Sequence, residues 1–123
     1  MNPKFRAWDE DSQKMNGNVE IYINKDKTIE VRSKDNKTIV MQFTELKDKN
    51  GKEIFEGDIV KYKLEEKTFT DIASFNKFFA CFGLEDDTGD WFCSFDWLLE
   101  NIKKNDIEVV GNVYENQELL GGE

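Results

Sequence analysis

Hydrophobic and polar positions alternate along most of this chain in short runs interrupted by polar turns, the pattern of half-buried strands. From Lys4 to Trp8, Phe5 and Ala7 alternate with Arg6 and Trp8, and the polar run Asp9 to Lys14 closes a first hairpin. Val19 to Asn24 and Thr28 to Arg32 alternate around Lys25-Asp26-Lys27 and predict a second. After the polar segment Ser33 to Lys37, Thr38 to Phe43 resumes as a strand. Asn50-Gly51, between Leu46 and Ile54, supplies the positive backbone angles of a tight turn, and Gly57-Asp58 opens into the strand Ile59 to Tyr62.

The second half continues in the same way. Charged Leu64 to Thr70 reads as a loop or ragged edge, and Asp71 to Phe75 and Phe78 to Leu84 read as strands joined at Asn76-Lys77. Glu85 to Asp90 forms a turn before a strand from Trp91 to Phe95. With Asp87-Thr88-Gly89 as a three-residue loop, Asp86 faces Asp90 and Gly83 faces Cys93. Cys81 and Cys93 then lie diagonally on one face, as small buried apolar residues rather than a disulfide. Asp96 is expected to cap a helix from Trp97 to Lys104, with Leu98, Leu99 and Ile102 on one side and lysines at its C-terminal end. Ile107 to Tyr114 is a further strand, with a bulge or close chain approach at Gly111, and Glu115 to Glu123 a short helical turn with a Gly-Gly tail. The expected fold is mainly β: a single antiparallel barrel-like domain over residues 1–123, SH3-like or pseudo-barrel, with one short helix near the C-terminus.

Composition narrows the chemistry. Only 38% of the 123 residues are hydrophobic, but ten Phe, three Tyr and three Trp provide large side chains for a core. Histidine is absent, which removes the usual general base near neutral pH and the commonest metal ligand. Two cysteines are too few for a structural zinc or iron–sulfur centre, and neither GxGxxG nor a P-loop pattern occurs. No enzyme and no cofactor are expected. The longest uncharged apolar run, Phe78 to Leu84, is too short to span a bilayer, and the charged N-terminus is unlike a secretory signal. Cytoplasmic localisation follows as an expectation, with reduced thiols and an unused sequon at Asn36-Lys37-Thr38.

Charge narrows the partners. The net charge of -9 is uneven: residues 1–63 carry 13 basic and 12 acidic side chains, residues 64–123 carry 4 and 14. The anionic half disfavours direct nucleic-acid binding, which needs a positive track. It is a soluble, self-repelling surface, or an acidic face that meets a basic host or phage protein or imitates nucleic acid. In the first hairpins Arg6, Lys14, Lys25, Lys27, Arg32, Lys34 and Lys37 stand among aromatics, but interleaved acids make a solvated mixed-charge face.

Three blocks carry a family resemblance: Lys4-Phe5-Arg6-Ala7-Trp8-Asp9 followed by Lys14-Met15, the run MQFTELKDKNGKEIFEGDIVKY from Met41 to Tyr62, and IEVVGNVYENQELL from Ile107 to Leu120. Together they resemble the YopX family, LKDKNGKEIFEGDIVK being the most specific. The chain departs from the family pattern at Glu45, where glycine is common after the threonine, and at Gln117, where proline usually follows the asparagine. The resemblance implies a mostly β protein of phages and prophages of Gram-positive bacteria, in a family with no assigned molecular activity and no catalytic residues to carry over. The shared blocks themselves read as structural, with Asn50-Gly51 fixing register and Ile59-Val60 filling a core.

Two clusters are candidate sites. Asp86, Asp87 and Asp90, in the turn from Glu85 to Asp90, are a weak candidate for calcium or magnesium, without the spacing of a calcium-binding loop. Trp91, Phe92, Phe95 and Trp97 place aromatics on both faces of one predicted strand, as a second core covered by the helix or as a subunit interface. The expected function is a non-enzymatic association module forming a homo-oligomer, in an accessory role during infection or lysogeny. An acidic inhibitor or nucleic-acid-mimicking decoy of a host protein is the alternative, and a carboxylate-dependent metal-binding enzyme the second.

Overall fold

The computed structural model describes residues 4–17, 20–23, 25–26, 29–32, 38–103 and 106–120. The expectations for Ser33 to Lys37 with its sequon, for Lys27, for Lys104-Asn105 and for the Gly-Gly tail lie outside them. Strands dominate, as the alternation predicts: the fold is mainly β, with two larger antiparallel sheets, one of them a half-barrel, and one short helix near the C-terminus.

Chain contacts divide the protein into two compact units, Met1–Phe43 and Thr44–Glu123. The first contains β1 (Phe5–Asp9), β2 (Lys14–Asn16), the hairpin β3 (Glu20–Ile23) and β4 (Ile29–Arg32), and the start of β5 (Thr38–Lys47). Trp8 pairs with Met15 on one side and Ile39 on the other, so β1 is central. Three successive β1 positions, Arg6, Ala7 and Trp8, are buried, which covers both faces of the strand. Asp9 closes the β1–β2 turn by accepting the amides of Asp11 and Ser12.

The second unit contains the end of β5, then β6 (Glu53–Phe55), β7 (Asp58–Leu64), β8 (Lys67–Asn76), β9 (Cys81–Glu85), β10 (Phe92–Ser94), α1 (Phe95–Asn101) and β11 (Ile107–Asn112). Five of these strands form one antiparallel sheet in the order β10-β9-β8-β7-β11. Its core gathers Ile54, Val60, Tyr62, Ala73, Leu84, Cys93, Phe95, Leu98, Ile107 and Val109.

The most specific sequence block builds the frame of this unit. Gly51 has φ 79 in the β5–β6 turn, where its amide donates to the Asp48 carbonyl. The Asp48 carboxylate accepts the amides of Asn50 and Lys52 through Oδ1 and that of Val109, in β11, through Oδ2, each at 2.9 Å. One buried carboxylate thus ties a turn to a strand 61 residues away. Burial opposes its charge, but the three donors prevail and hold its pKa below the ordinary value. Gly57 has φ 86, its amide donates to the Ala73 carbonyl and its own carbonyl accepts from Val113. Asp58 is 1% exposed and accepts the Phe55 amide. The expected irregularity at Gly111 is present as a register shift between Val109 and Gly111, and a Cβ there would lie 2.6 Å from the Asn116 side-chain oxygen.

The structure corrects four local expectations. Leu64 to Thr70 is no loop: β7 and β8 run through it and pair Leu64 with Lys67 across a two-residue turn. Glu65 and Glu66 both take positive φ, 50 and 67, in a turn usually made by Asn and Gly, so the sequence signal was missing. Phe78 and Phe79 lie at the exposed tip of the β8–β9 hairpin instead of in a strand, with both amides held by the Asn76 carboxamide oxygen. The β9–β10 loop has four residues, not three, which places Leu84 opposite Cys93 and Ser94 opposite Gly83. That one-residue slip puts Cys81 and Cys93 on opposite faces, so Cys93 is buried and Cys81 half-buried, both free. Finally, Ser94 rather than Asp96 caps α1, accepting the Trp97 amide, and the helix ends at Asn101, before the lysines.

Candidate aromatic and acidic docking site

Edge strand β10 and the start of α1 bring the candidate aromatics together. Phe92 lies over Gly83, where even a Cβ would meet its ring at 2.6 Å and the Cys93 carbonyl at 2.2 Å. Only glycine permits this close approach. Phe79, from the hairpin tip, stacks on Phe92 with centroids 6.0 Å apart and ring planes 10° apart. A groove of about 470 Å³ follows, lined by Phe79, Cys81, Trp91, Phe92 and Trp97 among others. Phe95 does not join it: as the first residue of α1 it turns inward and is 3% exposed in the core.

A second cavity of about 570 Å³ shares Trp91 and Trp97 and is completed by Tyr62, Leu64, Phe69, Asp71 and Asp86. Register explains this set. Phe69, Asp71 and Ala73 alternate onto one face of β8, and Phe69 sits opposite Tyr62, against which it stacks with centroids 5.5 Å apart. The Tyr62 hydroxyl donates to Asp71 Oδ2 at 2.6 Å. Burial pushes the Tyr62 phenol up, and the bond to the Asp71 carboxylate and its charge push it the same way. Burial also raises Asp71, against the Tyr62 hydrogen bond and with help from the negative charges of Asp86 and Asp87. Burial, then the Asp71 charge, raises the Cys93 thiol.

The carboxylates of the β9–β10 turn are placed differently from a metal centre. Asp86 Oδ1 accepts the Thr88 hydroxyl at 2.8 Å and the amides of Thr88 and Asp90, which holds its pKa below the ordinary value and closes the turn. Asp87 and Asp90 are exposed. Among the described residues no three His, Cys, Asp or Glu side chains come together as a metal site. On the other unit, Arg6 is 9% exposed and so withdrawn from any basic face, whereas Lys14 and Lys25 are exposed. No helix among the described residues is long and apolar enough to cross a membrane.

Sequence reasoning found Trp91, Phe92 and Trp97 but missed Tyr62, Phe69, Asp71 and Phe79. For Asp71 a signal existed, since alternation with Phe69 and Ala73 puts it on the apolar face; reading Leu64 to Thr70 as a loop concealed it.

The sequence model of the YopX protein family matches residues 4–121. The chain belongs to the YopX family. Protein EF1440 from Enterococcus faecalis has a crystal structure similar to this YopX-family chain, with 28% identity, a TM-score of 0.61 and coverage of 98% of this chain and 99% of the other. The crystal structure of protein yopX from Bacillus subtilis, 22% identical with a TM-score of 0.58 over 98% and 99% of the two chains, shares the fold. No curated protein matches. Within the YopX frame, the departure at Glu45 has a structural counterpart: its φ is 72, the left-handed region in which glycine is favoured.

Proposed function

We propose that this YopX-family chain is a non-enzymatic association module of a phage or prophage, acting in the cytoplasm of the bacterial host as a homo-oligomer. The observation that carries the reading is the aromatic surface around the β8–β9 tip: Phe78 is 95% exposed, Phe79 68%, Trp97 47% and Trp91 41%. Contiguous apolar surface of this kind marks association sites. A second copy suits it because the tip and a groove adjoin, Phe79 itself lining the groove with Trp91 and Trp97. A patch that holds both projection and recess is self-complementary about a two-fold axis.

The chemistry of the buried groups supports a binding role over a catalytic one. The Tyr62 phenol and the Cys93 thiol are both held in their protonated, weakly nucleophilic forms. Asp86 Oδ1 is taken up by its own turn, and among the described residues no three His, Cys, Asp or Glu side chains gather, which weakens the metal-enzyme alternative. The phage setting rests on the family, and the free thiols of Cys81 and Cys93 accord with a reducing compartment. Light scattering coupled to size exclusion tests the reading: a mass above that of one chain supports it, and a strict monomer at high concentration overturns it.

A further inference from the structure

We propose that the cavity formed by Tyr62, Phe69, Asp71, Asp86, Trp91 and Trp97 is a receptor for a basic side chain of a partner polypeptide, an alkylammonium or guanidinium group on an apolar stem. This goes beyond self-association: it shares Trp91 and Trp97 with that surface and adds Tyr62, Phe69, Asp71 and Asp86.

The walls are aromatic. Tyr62 and Phe69 stack to form one of them, and the two indoles of Trp91 and Trp97 supply more; aromatic rings attract a cation through the negative face of their quadrupole. Two carboxyl groups, Asp71 and Asp86, stand among them. Asp71 is more than nine-tenths buried, yet among the described residues the one hydrogen bond of its carboxylate is the 2.6 Å contact from the Tyr62 hydroxyl, and no cation pairs with it. Asp86 stands in the same cavity, and among the described residues no lysine or arginine lines it. A buried carboxylate without a counter-charge, beside another acid, is an arrangement that an entering cation relieves.

The volume of about 570 Å³ admits a long side chain, and the adjoining groove of about 470 Å³ shares both indoles. A basic residue with an apolar neighbour in the same segment fills both spaces, whereas a free amine fills one. The occupant is therefore a segment of polypeptide.

The test uses the full chain, dilute enough to be monomeric by light scattering, with its indole fluorescence followed; Trp8 is buried in the other unit, leaving Trp91 and Trp97 as the exposed reporters. The probes are the capped tripeptide Phe-Lys-Phe, the same peptide with norleucine for lysine, and n-butylammonium. The lysine peptide is expected to saturate the signal. The norleucine peptide and Asp71→Asn are each expected to weaken binding about tenfold, while Asp71→Asn leaves the urea midpoint at or above that of the parent. Exposed Asp87→Asn, the control, is expected to change affinity less than twofold. Equal binding of the norleucine peptide, or undiminished binding by Asp71→Asn, overturns the cation receptor. Butylammonium binding as tightly as the lysine peptide overturns the polypeptide as its source. A monomer that binds the lysine peptide upholds this proposal while removing self-association; an oligomer that binds none does the reverse.

Discussion

The Tyr62 hydroxyl donates to Asp71 Oδ2 at 2.6 Å between adjacent strands β7 and β8, and both side chains are almost wholly buried. Removing the hydroxyl by Tyr62→Phe leaves the carboxylate without its donor. The cost at pH 7 is about 2 kcal/mol, measured as a lower urea midpoint with unchanged slope, and it shrinks in acid as Asp71 takes up a proton.

Because burial raises Asp71 above its ordinary value of 3.8, the folded chain binds its proton more tightly than the unfolded chain. Its contribution is full below pH 3.8 and is lost as pH rises through the raised folded value. Asp48 acts in the opposite sense: its folded pKa lies below 3.8, so its contribution is full above that value and disappears as pH falls through the lowered one. Stability measured by urea unfolding from pH 3 to 8 is expected to show the Asp71 decline as pH rises above 3.8, and Asp71→Asn to remove that decline alone.

Asp48→Ala strips three backbone amides of their acceptor, including that of buried Val109. A loss of about 3 kcal/mol is expected, with accelerated hydrogen exchange at the Val109 amide. A loss below about 0.5 kcal/mol contradicts the role assigned to this carboxylate.

Glu45→Gly places the residue common in the family at a φ of 72. Relief of left-handed strain outweighs the added freedom of the unfolded chain, for a gain of up to about 1 kcal/mol. Thermal unfolding reads the difference, and a fall in melting temperature contradicts it. Gly83→Ala goes the other way, since its methyl meets the Cys93 carbonyl at 2.2 Å and the Phe92 ring. Strands β9 and β10 must separate, at a cost of about 2 kcal/mol or more.

How much of this was legible follows from the physics of each segment. The first hairpins, the Asn50-Gly51 turn and the irregularity at Gly111 announced themselves through alternation and through residues that tolerate special backbone angles. The β7–β8 turn did not, because Glu65 and Glu66 occupy positive φ without the usual residue types. Phe78 and Phe79 misled in the opposite way: an apolar run predicts burial, and these rings are exposed at a tip. The β9–β10 register depended on one residue of loop length, set by the bonds that Asp86 makes to Thr88 and Asp90. The aromatic half of the candidate site was therefore readable, while its acidic half waited on the pairing of β7 with β8.

Sedimentation equilibrium over a range of concentrations tests self-association through the aromatic tip most directly. The parent chain is expected to exceed the 14.4 kDa of a single copy as concentration rises, and Phe78→Ser with Phe79→Ser to stay at that mass with an unchanged unfolding midpoint. A parent that remains monomeric throughout, or a double variant that associates as the parent does, contradicts the account.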